Sequence, residues 1–138
     1  SSISYTGNNR THMIRIPAAG RFELRLMDGS SNPYLLQAGI IAAGLHGINN
    51  KINPGEPLSC NMYTDYDNYP NLQKLPNQIM EALDFLKNSK ELREAFGNDV
   101  INSFIKLKNI EIEDFNKQEH FDKESGVTSW EKNNTLDC

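Results

Sequence analysis

No stretch of this sequence is apolar for the roughly 20 residues that a membrane-spanning helix needs. The longest weakly charged run, Pro33 to Ile48, falls short of that length and contains three glycines, so it reads as a buried helix and not an anchor. Cysteine is scarce. Cys60 and Cys138 lie far apart with no CxxC pair, and no basic start leads into a signal-like apolar segment, which reads as a reduced, cytoplasmic protein. A basic surface is also missing: fourteen Lys and Arg against eighteen Asp and Glu give a net charge of -4. No cluster of cations lies beyond the first 25 residues, which argues against nucleic acid as a partner. There is no internal repeat, no low-complexity tract and no initiator Met, and the polar opening SSISYTGNNR runs straight into a strand pattern. The expectation is the tail of something longer.

What is present is enough for one domain. The chain has 138 residues, 38% hydrophobic and 23% charged, the profile of an ordinary globular unit. A chain of this length can bury about two-thirds of the surface it exposes when unfolded.

Two segments alternate with period two, THMIRI at 11–16 and RFELRL at 21–26, joined by PAAG. They predict a strand pair with a four-residue connection. Because successive strand side chains point to opposite faces, Phe22, Leu24 and Leu26 share one face while Arg21, Glu23 and Arg25 share the other. After the turn-rich MDGSSNP, a helix starts at Pro33 with Ser31 or Asn32 as its cap. Its apolar residues wrap nearly the whole circumference, which predicts a central, buried helix lying over Phe22, Leu24 and Leu26, with its glycines at close approaches of neighbouring elements. Residues 51–76, rich in Pro, Asn and Asp and with only Tyr as aromatics, read as a long ordered loop of the kind that is functional or packs on a partner. Three helical segments follow over 77–118. Ser89 caps one that Gly97 stops, and Asn98 or Asp99 caps the longest. A last short helix is capped by Thr128 or Ser129. The fold class is α+β, mostly helical by residue count with one antiparallel hairpin over 1–30, a buried helix over 31–50, the loop over 51–76 and a helical region over 77–138.

The chemistry concentrates on the hairpin face. Arg10, Arg15, Arg21 and Arg25 surround the lone carboxylate Glu23. Guanidinium forks match phosphate and carboxylate oxygens, and a single carboxylate can supply one ligand to Mg²⁺, which completes its octahedron with water and phosphate. The plainer reading of the same residues is a solvated sheet face on which Glu23 pairs with its Arg neighbours. Pattern alone leaves both open.

Company decides between them. NNRTHMIRIP, then RFELRL, then DGSSNPYLLQAGIIAAGLHGINNKINPGEP closely resembles the catalytic domain of the glutamine synthetase family, in order and with tight spacing from Asn9 to Pro57. The wording RTHMIRIP and AGRFELRLMDG looks most like the type III branch, which includes glutamate–ammonia ligase and gamma-glutamylmethylamide synthetase. The resemblance implies a C-terminal portion of a curved antiparallel sheet with packed helices, in an oligomeric enzyme. That enzyme uses ATP and Mg²⁺ or Mn²⁺ to convert glutamate to gamma-glutamyl phosphate, which ammonia or methylamine attacks. It further implies that Arg10 contacts the transferring phosphate as a catalytic group, Arg15 and Arg21 line the ATP phosphates, Glu23 is a metal ligand, and Arg25 binds the reacting carboxylate of glutamate. His12, where many members have a small residue, reads as a packing or hydrogen-bonding residue. Tyr63 lines up with a tyrosine that some members adenylylate, and it is expected to be unmodified. Because the family's other metal ligands precede this region, the isolated chain is expected to lack ligase activity. The competing expectation is a stand-alone domain that binds a phosphorylated metabolite or assembles with other subunits without catalysis.

Overall fold

The computed structural model describes residues 2–117 and 126–135. It divides into two compact units, 1–28 with 53–78, and 29–52 with 79–138. Gln118 and the polar stretch that follows it, like Cys138, lie outside the described residues.

The first unit is a three-stranded sheet in the order β1-β2-β3: β1 is Tyr5–Thr6, β2 is Ile14–Ala18 and β3 is Arg21–Leu24. The predicted strand pair is present and antiparallel, with Ile14 opposite Leu24, Arg15 opposite Glu23 and Ala18 opposite Arg21. Its boundaries differ from expectation, because Pro17 and Ala18 belong to β2, not to the turn. Two residues, Ile16 and Pro17, lie between the paired positions of β2 where only Phe22 lies on β3, which makes a bulge. Pro17 cannot donate a ladder bond, and a bulge is where a sheet tolerates it. The turn itself is Ala19–Gly20, with Gly20 at φ 74°.

The parallel partner β1, with Tyr5 opposite Ile14, corrects the expectation of a lone hairpin. Ser2, Ser4 and Thr6 are buried at alternate positions. Their small hydroxyls make a strand face that composition reads as a polar turn.

The loop over 53–76 is ordered, as expected, and wraps this sheet. Leu58 N–H donates to Tyr5 O at 3.0 Å and Ile3 N–H to Gln73 O at 2.8 Å. The Tyr5 hydroxyl donates to Gly55 O at 2.7 Å. A single 3₁₀ turn interrupts the loop at Tyr66–Asn68. Met62 is the buried apolar residue of this unit among the described residues, so hydrogen bonds hold it together more than an oily core does. Phe22 is 63% exposed and Leu26 41%. The apolar side of β3, expected to be covered, is open at Phe22 and Leu26.

The second unit is helical: α1 Pro33–Asn49, α2 Ile79–Asn88, α3 Lys90–Phe96, α4 Asn98–Asn116 and α5 Ser129–Asn134. Asn32, of the two candidates, caps α1 by accepting from the amides of Tyr34 and Leu35. Ser89 caps α3 through Leu92 N–H at 3.2 Å. At α4 the expected side-chain cap is replaced by Gly97 at φ 82°, with Asn98 already helical. Positive φ is what lets the chain stop α3 and start α4 across one residue. Arg93 fastens that junction, donating to Lys87 O at 2.7 Å, Asn98 Oδ1 at 2.9 Å and Asn102 Oδ1 at 3.1 Å. Thr128 and Glu131 form a capping box on α5. Trp130 donates to Asp114 Oδ2 at 2.8 Å, and its ring stands edge-on to Phe115 at 5.6 Å.

Leu83 and Ile101 are the buried apolar residues here among those described. None of the residues of α1 is buried, which corrects the expectation of a central, covered helix. Its packing partner is α3, and a seven-residue helix cannot cover the circumference of a seventeen-residue one. A Cβ placed on Gly39, Gly44 or Gly47 meets nothing within 4 Å, so the expected close approaches at these glycines are also absent among the described residues.

Candidate functional site

The register of the hairpin builds the site. Arg15 and Glu23 are directly opposed across β2 and β3, so their side chains leave the sheet on one face, and Arg25 follows Glu23 by two residues on that face. Arg15 Nη1 donates to Glu23 Oε2 at 2.6 Å, and Arg25 Nη1 reaches Glu23 Oε1 at 3.4 Å. Arg15 is further held by Asn8, whose Oδ1 accepts from Nε at 2.9 Å and from Nη2. Its guanidinium is thus fixed by three donors in a plane, which a lysine cannot reproduce.

Glu23 is held ionised below the ordinary carboxylate range, first by the hydrogen bond from Arg15, against an opposing desolvation that exceeds any single one of the charges of Arg15, Arg25 and Arg10, which also lower it.

Arg10 comes from the loop that leads into β2. It is exposed and lines a pocket of about 190 Å³ together with His12, Arg25, Tyr63 and Tyr66. Lys74 lies over the Tyr66 ring at 5.3 Å, adding a cation nearby. Arg21, opposite Ala18 at the start of β3, is exposed and stands in no ion pair among the described residues. The structure thus brings Arg10, Arg15, Glu23 and Arg25 together and leaves Arg21 at the strand end. The ion-paired face foreseen by the plainer reading is real, and it does not consume the cations, since Arg10 and Arg21 remain available to an anion.

A divalent cation can be tested against this donor set. Glu23 is an oxygen ligand whose charged form the arginines favour, with lone pairs beyond the two that they take. Among the described residues no group of three His, Cys, Asp or Glu could hold a metal ion. The residues fit one corner of a hard-cation site and not a whole one.

Sequence reasoning passes over three residues. Asn8 fixes Arg15, and Asn9 and Thr11 tie the Arg10 loop to the chain at 60–62: Asn9 Nδ2 donates to Cys60 O at 2.9 Å, and Thr11 Oγ1 accepts from Met62 N–H at 3.0 Å. A run of Asn and Thr reads as a turn whatever it does. The partners, about fifty residues on, are what give it a role. His12 is 3% exposed with both ring nitrogens bonded, as a hydrogen-bonding residue should be. Tyr63 is exposed at the pocket rim. No helix among the described residues is long and apolar enough to cross a membrane.

The chain is similar to known proteins. A family model, the glutamine synthetase catalytic domain, covers residues 1–126. A glutamine synthetase of Rhizobium meliloti (strain 1021) is 44% identical over 137 residues, spanning 99% of this chain and 30% of that protein. A glutamate–methylamine ligase of Methyloversatilis universalis is 38% identical over 98% of this chain and 29% of that protein. A solved structure of GmaS in complex with ADP superposes with a TM-score of 0.80 at 42% identity, covering 99% of this chain and 30% of the other. The chain spans about 30% of the length of these relatives. On the family match and the structural match together, this chain belongs to the glutamine synthetase family, as part of its catalytic domain.

Proposed function

We propose that this chain is the C-terminal portion of the catalytic domain of an ATP-dependent glutamate–amine ligase, supplying the phosphate, metal and glutamate-carboxylate edge of its active site. The observation that carries the proposal is the cluster itself: an ionised Glu23 held between Arg15 and Arg25, with Arg10 and Arg21 in no ion pair among the described residues.

In this reading ATP phosphorylates the side-chain carboxylate of glutamate, and ammonia or methylamine displaces the phosphate to give glutamine or a gamma-glutamyl amide. Phosphoryl transfer asks a protein mostly for positioning and charge stabilisation. Arg10 contacts the transferring phosphoryl group, where charge develops. Arg21 and Arg15 line the nucleotide phosphates, with Arg15 also fixing Glu23. Arg25 holds the reacting carboxylate. Glu23 supplies one ligand to Mg²⁺ or Mn²⁺, which screens the phosphate charge when bound.

The other metal ligands and the amine pocket are assigned to parts of the enzyme outside this chain. Alone, therefore, it is proposed to be inactive. A domain that binds a phosphorylated metabolite without catalysis is the competing reading, favoured by the single carboxylate.

Calorimetry of the 138-residue chain with Mg-ATP separates them. The ligase reading expects weak binding or none, and tight binding supports the stand-alone domain. In the complete polypeptide, Arg25→Ala should chiefly raise the KM for glutamate. An unchanged KM would remove Arg25 from its role.

A further inference from the structure

His12 has a place in the structure that the arginine cluster does not explain. Its ring is 3% exposed. Nε2 lies 2.9 Å from Cys60 O and Nδ1 lies 3.1 Å from Ser4 Oγ. A carbonyl oxygen only accepts, so Nε2 carries a hydrogen, and Nδ1 shares a second hydrogen bond with the Ser4 hydroxyl. One imidazole thus bridges three separate pieces of chain: the residues before β1, the Arg10 loop and the loop at 60. Asn9 and Thr11 make the outer bonds of the same latch, to Cys60 O and Met62 N–H. Arg10 sits between these anchored neighbours and carries no ion pair of its own among the described residues. Its backbone is fixed from both sides while its guanidinium stays exposed beside Arg25.

We propose that His12 is a positioning residue: its Nε2–H bond to Cys60 O latches the Arg10 loop and so sets where that guanidinium meets the transferring phosphate. This rests on the ligase reading for the role of Arg10. The latch itself stands on the hydrogen bonds. A buried ring with both nitrogens engaged resists rotation, because turning it would break its bonds to Cys60 O and Ser4 Oγ, leaving Cys60 O with Asn9 Nδ2 alone. Glutamine can place an amide N–H where Nε2–H lies, whereas leucine fills the volume and donates nothing.

Two measurements test this. In the 138-residue chain, ¹⁵N NMR should show a hydrogen on His12 Nε2. His12→Leu should speed hydrogen exchange at Met62 N–H by about tenfold, the factor that one lost buried hydrogen bond corresponds to. His12→Gln should restore protection. The Nδ1–H tautomer, or equal protection in His12→Leu, would overturn the latch. If the leucine variant does not fold, the tautomer and the glutamine variant still decide.

In the complete polypeptide, His12→Leu should lower kcat, His12→Gln should recover it, and combining His12→Leu with Arg10→Ala should cost little more than Arg10→Ala alone. If Arg10→Ala leaves activity intact, the ligase role of Arg10 fails. If Arg10→Ala removes activity while His12→Leu does not, the positioning role fails and the ligase reading stands.

Discussion

A carboxylate between two guanidinium groups holds its negative charge to lower pH than it would in an unfolded chain, and Glu23 is in that position. Its folded-state pKa is depressed, so its contribution to stability is fully present above the unfolded-chain pKa. That contribution falls as the pH drops from there through the lower folded-state value. Glu23→Gln should therefore lower stability near neutrality, change it little at low pH and so flatten the acid limb of a stability–pH profile, as thermal unfolding across a pH series would read. An unaltered acid limb would mean that the pair does not form in solution. Arg15→Lys tests the same contact from the other side. A lysine cannot bond Asn8 and Glu23 with one rigid fork, so the Glu23 pKa should rise toward its ordinary value in a carboxyl NMR titration. At this scale the sequence is unusually legible. Strand alternation by itself groups Arg15, Glu23 and Arg25 on the charged side of the hairpin. It cannot show that Asn8 clamps Arg15, since that bond depends on how the loop at 8–13 folds back.

Elements are legible where their punctuation is local. Asn32–Pro33, Ser89 and Gly97 mark helix ends through chemistry confined to a few residues, and the caps at Asn32 and Ser89 fall among the foreseen residues. The strand β1 is hidden because the buried residues in and just before it are Ser2, Ser4 and Thr6, and small hydroxyls carry no apolar signal. The α4 start misleads for a related reason: Gly97 serves as both a stop and a start, leaving Asn98 inside the helix. The capping box on α5 gives the prediction that belongs here. Thr128 is buried and bonded to Glu131 N–H at 3.1 Å, so Thr128→Ala should cost about 1 kcal/mol in denaturant unfolding, while Thr128→Ser should cost much less. Equal losses would show that packing of the methyl group, not the cap, is what Thr128 provides.

For the molecule as a whole, the telling feature is a helix that is apolar on every side and buried on none. Tyr34 is 83% exposed and Ile48 73%, with Ile41 and Leu45 also open. Continuous apolar surface of this kind favours association, and sedimentation of the isolated chain should show self-association that increases with concentration; a strict monomer at high concentration would contradict this. Gly44 sharpens the point. It lies within α1 with open space where a Cβ would go, so Gly44→Ala should stabilise the isolated chain by up to ~1 kcal/mol. A loss of stability would mean that a neighbour does approach there.

The same reasoning makes the arginine cluster one edge of a larger site, and Glu23 is where that claim is most exposed. In the complete polypeptide that carries these residues, metal-dependent ADP release with glutamate and an amine should be abolished by Glu23→Ala. Undiminished release in that variant would contradict the assignment of Glu23 as a metal ligand, and with it the reading of this face as the phosphate and metal edge of a ligase.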